Sequence, residues 1–509
     1  MKLQAFLESM GSSCVPEKDL PKRIEFDEKD IVRYRYEGVP YIGLKTLTTI
    51  EETMARDVML FKHRGISLVP NKTLITNTIA EFEAKMSLKV GQEYSLHPVQ
   101  KEAVFTAVSN PICVITGGPG TGKTTTLKCI LYVLDKVYKT YHSKKEITRV
   151  FLAPTGKAAR RMSETLNTPA YTVQSYLKTN SATLPPLMKF DNEIVVDEVS
   201  MLDEDTAYNL FRAYRMAIKS YSHFGCRMIM LGDVDQLPSV GIGAVLRDLI
   251  ESDVIPVCKL EVAYRQESGS VLSENIKRIQ AGKSKLLNGD DFSLRPMKEP
   301  HVLATELANL YCDKAKQYGG FDKVFLLTPM KKYGDLCSDK MNELIRGIVN
   351  PRGPVFEGFR LNDPVIQLKN RYDCGIVNGS IGTVAEVRKD GLTVRYPDEN
   401  VNVDYVLKDL GQIALAYAMT VHKSQGSEYP CIISCGVEKT FMKKGSTPLI
   451  NRNLILTAVS RSKKECVLYM DQEDLDKAIE VEAGYARKTM FKEFLIREDL
   501  RISLIERAN

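Results

Sequence analysis

No stretch of the 509-residue chain approaches the ~18 consecutive apolar residues of a membrane-spanning helix. The start, Met1 to Val15, holds one lysine and only short apolar stretches, so it lacks the apolar core of a secretory leader. Both absences lead to the expectation of a cytosolic protein with no membrane partner. The eleven cysteines form no Cys-x-x-Cys pair. Cys113 and Cys129 sit in apolar surroundings and read as reduced core thiols. Cys431 and Cys435 lie four apart without a further ligand cluster, which favours a core strand over a metal site. Internal repeats and low-complexity tracts are also missing. Charge of one sign is scarce: 70 Lys and Arg against 64 Asp and Glu leave a net charge of +6. That balance permits a nucleic-acid partner without arguing for one, because what counts is where the charge lies. With 44% hydrophobic and 26% charged residues, the composition is that of a folded globular chain rather than a disordered or fibrous one. Its length suits about three or four domains.

What is present begins with Gly117-Gly118-Pro119-Gly120-Thr121-Gly122-Lys123-Thr124, followed by Thr125. It matches the phosphate-binding loop GxxxxGK[ST] at every fixed position. Ile112 to Thr116 reads as a buried strand before it. Lys123 to Leu134 reads as a helix after it, with Leu127, Ile130, Leu131 and Leu134 on one face. Glycines let backbone N–H groups turn inward around phosphates, and the helix N-terminus adds its dipole. Lys123 is expected to reach the β- and γ-phosphates of ATP, and the Thr124 hydroxyl to ligate Mg²⁺. A metal-bound nucleotide also needs a carboxylate. Ile194-Val-Val-Asp197-Glu198 offers an apolar strand ending in two: Asp197 for Mg²⁺ through water, Glu198 as general base for the attacking water. These residues point to an NTPase and leave kinases, GTPases and translocating motors open.

Further segments occur in a set order: Leu96-His-Pro-Val-Gln100, Leu152-Ala-Pro154-Thr155-Gly-Lys157, Met230-Leu-Gly-Asp233-Val-Asp235-Gln236, Ala263-Tyr264-Arg265-Gln266, Met419-Thr420-Val-His422-Lys423-Ser424-Gln425-Gly426-Ser-Glu428 and Leu456-Thr457-Ala-Val-Ser460-Arg461. Together with the phosphate loop and the acidic strand end, they resemble superfamily 1 helicases, specifically the RecD-like group that moves 5′ to 3′ on single-stranded DNA. The resemblance spans roughly Ser95 to Asp471. It implies an ATP- and Mg²⁺-dependent DNA helicase acting in replication, recombination or repair on single strands and on duplex junctions with a 5′ tail. It further implies that Gln100 reads adenine and Tyr264 lies against its ring. Gln236 senses the γ-phosphate, Arg265 and Arg461 act as arginine fingers, and Gly426 and Glu428 adjoin the nucleotide. Pro154, Thr155, Lys157, Thr420, His422, Lys423 and Ser424 touch DNA. Both fingers lie well downstream of the phosphate loop in the same chain, so a second lobe is expected to close over nucleotide bound to the first, and a monomer to suffice. The phosphate loop and arginines do not separate DNA from RNA. An RNA helicase of the same superfamily therefore stays open, as does a DNA-binding scaffold subunit. No acidic cluster suggests a nuclease.

The implied fold is α/β: two tandem RecA-like P-loop motor lobes, a small β-barrel inserted in the second, and a mostly helical N-terminal region. The expected boundaries are 1–90 for the N-terminal region and 91–263 for the first lobe, with a pin-like insert at about 178–189 for which a surface loop is an equal reading. The second lobe is expected over 264–348 and 412–509, around an inserted barrel at 349–411. Alternation supports short strands in that insert, and Asn378-Gly379 is a hairpin signal. In Ala170 to Leu177, Gln174 and Ser175 stand where the family usually has His and Arg, which puts the contacts assigned there in doubt. The tail, Ala486 to Glu506, reads as an amphipathic packing or partner helix.

Overall fold

Strands apolar at every position need cover on both faces, and parallel α/β sheets supply it. The computed structural model describes residues 2–36, 38–64, 70–141, 148–179, 191–220, 227–261, 269–436, 450–482 and 486–508. They fall into two compact units. The first comprises Met1–Val234, Pro238–Arg265 and Gly484–Asn509; the second comprises Asp235–Leu237 and Gln266–Ala483.

In the first unit six parallel strands run in the order Ala170–Thr172, Thr148–Ala153, Asp191–Val196, Arg227–Gly232, Ile112–Gly117, Val257–Leu260. The pleat sends alternate residues to opposite faces. Ile112 and Val114 join one core with Met54, Val58, Phe211, Phe491 and Leu495. Cys113 and Ile115 join another with Ile75, Val104, Leu127 and Ile130. The N-terminal region thus contributes to both faces through helices Lys45–Arg64 and Lys72–Val90. It is not only helical: Cys14–Pro16, Val39–Leu44 and Ile31–Tyr36 form a three-stranded antiparallel sheet.

The second unit repeats the plan with five parallel strands, in the order Phe292–Arg295, Ser462–Tyr469, Tyr429–Cys435, Val324–Thr328, Ala418–Thr420. Cys431 and Cys435 are buried in its core, as expected for a strand. The insert is a five-stranded antiparallel sheet in the order Val401–Val406, Gly391–Tyr396, Ile381–Val387, Pro364–Gln367, Ile413–Leu415. Two expectations need correction here. The insert is an open sheet, not a closed barrel, because among the described residues its outer strands Val401–Val406 and Ile413–Leu415 do not pair with each other. Its first hairpin turns between Arg371 and Ile376, which bond reciprocally, while Asn378-Gly379 lies within the ladder at Gln367.

The C-terminal segment also departs from expectation. It belongs to the first unit, not the second. Helix Phe491–Ala508 buries Phe491, Phe494 and Leu495 in that unit's core. Ahead of it, Arg487 donates to Ser239 Oγ at 2.9 Å and to the carbonyls of Gly241 and Gly243, each at 2.8 Å. Most of the proposed pin lies outside the described residues. Leu495→Ala should destabilise the first unit by about 2–5 kcal/mol, read as an earlier urea transition. The exposed Leu504→Ala should change it by less than about 0.5 kcal/mol. A helix that covered neither core would make the two variants equal.

Candidate nucleotide and nucleic-acid site

The strand Ile112–Gly117 is wholly buried and leads into the phosphate loop. Gly120 and Gly122 take φ of 79° and 82°, the left-handed region that side chains disfavour. Gly117 has no room for a side chain: an added Cβ would lie 2.7 Å from the Leu260 carbonyl oxygen. The Thr121 hydroxyl donates to Gly118 O at 2.9 Å and folds the loop on itself. Lys123 opens helix Lys123–Tyr141 and turns its ammonium inward onto the carbonyls of Gly117 and Gly118. Thr124 is exposed, and Gly118, Pro119 and Thr125 are half-buried.

Gln100 lies in the first turn of helix Pro98–Ser109 and is buried. Its Nε2 donates to Thr121 O at 3.3 Å, and its Oε1 accepts from the His97 N–H at 3.0 Å. A primary amide has two hydrogens and two lone pairs on its oxygen, so one of each remains for a two-point contact with a base.

Asp197 and Glu198 follow the strand Asp191–Val196. The Asp197 N–H donates to Leu152 O at 2.9 Å, and Asp197 Oδ1 accepts from the Glu198 N–H at 2.8 Å. Glu198 sits at φ 55°, ψ 39°, a left-handed conformation uncommon for a residue with a Cβ and frequent at functional sites. Burial pushes the Asp197 carboxyl up to about 6; the Glu198 charge adds to this, and Lys123 partly offsets it. A carboxylate disfavoured by burial and by a like neighbour is one that a dication would relieve, so the donor set fits Mg²⁺. At the end of the next strand, Thr155 caps helix Gly156–Leu166 by accepting from the Ala158 N–H at 3.2 Å. Its hydroxyl proton stays available to an anion. Pro154 and Lys157 beside it are half-buried.

In the second unit, Arg461 is buried and donates to uncharged oxygens: Nε to Thr457 O at 3.1 Å, Nη1 to Ser427 O at 3.3 Å, and Nη2 to Gln236 Oε1 and Ser460 Oγ, both at 3.2 Å. The expected γ-phosphate sensor and the expected finger are thus brought together. Asp235, Gln236 and Leu237 are held there by Asn453 Nδ2, which donates to the carbonyls of Asp235 and Gln236 at 2.8 and 3.1 Å, and by Thr457 Oγ1, which accepts from the Leu237 N–H at 3.1 Å. Sequence reasoning missed Asn453, although Thr457 stood inside a quoted motif. Gly426 is buried, and half-buried Glu428 lies 3.9 Å from Lys463. Tyr264 and Arg265 lie outside the described residues.

Register places the remaining candidates at the opposite edge of that sheet. Thr420 is level with Thr328 at the C-terminal ends of their strands, whereas Tyr429 is level with Ser462 where two strands begin. His422 is exposed, and Thr420 and Lys423 are half-buried. Burial, with Lys331 adding, holds the Lys423 pKa below its ordinary value. Ser424 differs from the expected DNA contact: it is wholly buried, and its hydroxyl donates to Val421 O at 2.7 Å, stabilising the turn.

Two protein families match the chain: the AAA domain over residues 100–242 and the UvrD-like helicase C-terminal domain over 415–469. The ATP-dependent RecD2 DNA helicase of Deinococcus radiodurans is 32% identical over 363 residues, covering 69% of this chain and 46% of that protein. The RecBCD enzyme subunit RecD of Mycobacterium tuberculosis is 28% identical over 417 residues, covering 72% and 68%. The chain therefore spans about half the length of the first of these and two thirds of the second. A solved structure of a Bacteroides Pif1 helicase in complex with ADP-AlF3 and single-stranded DNA covers 74% of this chain and 93% of that one, at 19% identity and a TM-score of 0.46.

The raised pKa of Asp197 has a measurable sign. The fold favours its protonated form, so this carboxyl costs stability as pH rises through about 6. Asp197→Asn should be more stable than the native chain at pH 8, by about 1–2 kcal/mol in urea without divalent metal, with the gap closing below about pH 6. Added Mg²⁺ should then raise the native chain's stability and leave the variant's unchanged. Parallel responses to Mg²⁺ would remove Asp197 from the metal site.

Proposed function

We propose that the chain is a RecD-like superfamily 1 helicase that couples ATP hydrolysis to 5′–3′ movement on single-stranded DNA and to opening of junctions with a 5′ tail. The observation that carries this reading is the course of residues 420–428. They leave the second unit's sheet at its strand C-terminal edge, beside the nucleic-acid candidates. They re-enter at the opposite edge, where Ser427 O accepts from Arg461. One short stretch of backbone therefore carries candidates for both ligands.

In this reading the loop N–H groups and Lys123 hold the phosphates of ATP, with Lys123 exchanging its carbonyl partners for phosphate oxygens. Thr124 and Asp197 would hold Mg²⁺, which would supply charge neutralisation. Glu198 takes the proton of the attacking water. Gln236 and Arg461, already bonded to each other, respond together to the γ-phosphate, and Arg461 stabilises charge developing on it. Thr155, Lys157, Thr420, His422 and Lys423 hold the sugar-phosphate backbone, which suits a motor that must pass every sequence. The pathway, recombination or repair, rests on the family.

Lys123→Ala should abolish DNA-stimulated ATP hydrolysis. Arg461→Ala should leave ATP binding nearly intact while lowering turnover by about 10³; loss of binding alone would remove the finger assignment. Unwinding, measured on 5′- and 3′-tailed duplexes of DNA and of RNA, should require a 5′ DNA tail. Activity confined to a 3′ tail would overturn the direction, and activity confined to RNA would overturn the substrate.

A further inference from the structure

The loop that follows the strand Val324–Thr328 carries the most exposed aromatic ring among the described residues of the second unit. Tyr333 is 74% exposed. Its backbone stands at φ 71°, a left-handed conformation that bulky residues rarely adopt. The loop around it is firmly anchored. The Ser338 N–H donates to Met330 O at 3.0 Å, and the Asp339 N–H donates to Lys331 O at 3.2 Å. Lys340 pairs with Asp335 at 2.8 Å, and Leu336 and Cys337 are buried. An anchored loop that holds a tyrosine in a disfavoured conformation, with its ring in solvent, is spending stability on the ring's placement.

The surroundings say what the ring is placed for. Lys331 and Lys332, immediately before it, are exposed. Thr328 pairs with Thr420, so the Tyr333 loop and the Thr420–Lys423 turn leave neighbouring strands at the same edge of the sheet. Lys331 lies close enough to Lys423 to help depress its pKa. Lysines for a phosphate backbone beside an exposed aromatic face are the two ingredients of single-strand binding without base preference.

We propose that Tyr333 is a base-stacking residue, on which one base of the single strand rests while Lys331, Lys332 and Lys423 hold the adjoining phosphates. This rests on the reading that the chain holds single-stranded DNA. It adds a contact that no motif quoted above contains.

The sequence contains no tryptophan, which supplies a clean probe. In the full-length Tyr333→Trp variant the sole indole should be quenched when oligo-dT is added. Measured by anisotropy of labelled oligo-dT, Tyr333→Ala should weaken binding about tenfold, and Tyr333→Phe should stay within about twofold. On an abasic deoxyribose-phosphate strand the native chain and Tyr333→Ala should bind alike. A native chain that binds oligo-dT, with Tyr333→Ala binding it equally well, overturns the stacking assignment alone. An unquenched indole in a variant that still binds does the same, as does a Tyr333→Ala deficit that persists undiminished on the abasic strand. A native chain that binds no oligo-dT overturns both this assignment and the reading beneath it.

Discussion

Parallel pairing of Ile112–Gly117 with Arg227–Gly232 and Val257–Leu260 is the constraint on which the nucleotide site depends. Parallel strands all end at the same edge, and each must be returned by a helix on one face or the other. Loops that begin at that edge are brought together whatever their separation in sequence. The phosphate loop, Pro154-Thr155 and Asp197-Glu198 each start where a strand of this sheet stops. The buried alternation that fills both faces makes the edge rigid, since slipping any strand by one residue would exchange the two cores. A loop bent through Gly120 and Gly122 can then hold inward-facing N–H groups without collapsing onto its neighbours.

The second unit uses both edges of its parallel sheet. Candidates for nucleic acid lie where strands end, and Arg461 with its partners lies where strands begin. A buried guanidinium bonded to Gln236, Ser427, Thr457 and Ser460 cannot shift without disturbing each of them. Of these, Ser427 belongs to the backbone that descends from Thr420. The segment from Met230 to Gln236 is tied at its C-terminal end. Asn453 and Thr457 fix Asp235 to Leu237. A few residues on, Arg487 fixes the carbonyls of Gly241 and Gly243.

The elements legible in the sequence are those whose backbone needs leave a residue signature. The phosphate loop could be read because positive φ calls for glycine, and phosphate and metal call for a lysine and a hydroxyl at the helix start, Lys123-Thr124. The paired acids after an apolar strand were legible for a similar reason. Other features have no such signature. The apolar face of Phe491–Ala508 announces a helix that must be covered, but any apolar sheet face would serve, and the allegiance to the first unit came only with the fold. Alternation revealed the strands of the insert and not whether its outer strands meet, because closure depends on register and curvature. Asn378-Gly379 carries turn chemistry, yet the chain turns at Arg371–Ile376, where reciprocal backbone bonds close the hairpin. Ser424 sits in a motif of polar residues, and only packing shows that its hydroxyl faces inward.

Charge is the last quantity the fold alters. The sequence count of +6 takes every carboxyl as ionised. Glu51 and Glu204 are buried in the first unit. Burial pushes Glu51 up to about 8, with Asp248 adding, and raises Glu204 well above the carboxylate range, with Glu51 adding. Burial thus disfavours the charged form of both, which shifts the folded chain toward positive charge relative to that count. The cations proposed to meet a polyanion are instead kept near water: Lys331 and Lys332 are exposed at one edge of the second sheet, with Lys423 half-buried beside them. A strand of DNA senses charge within about a Debye length, so this local group outweighs acids elsewhere on the surface. A modest total is then compatible with tight local binding and with release, because screening by salt acts on a few exposed cations rather than on a continuous basic surface.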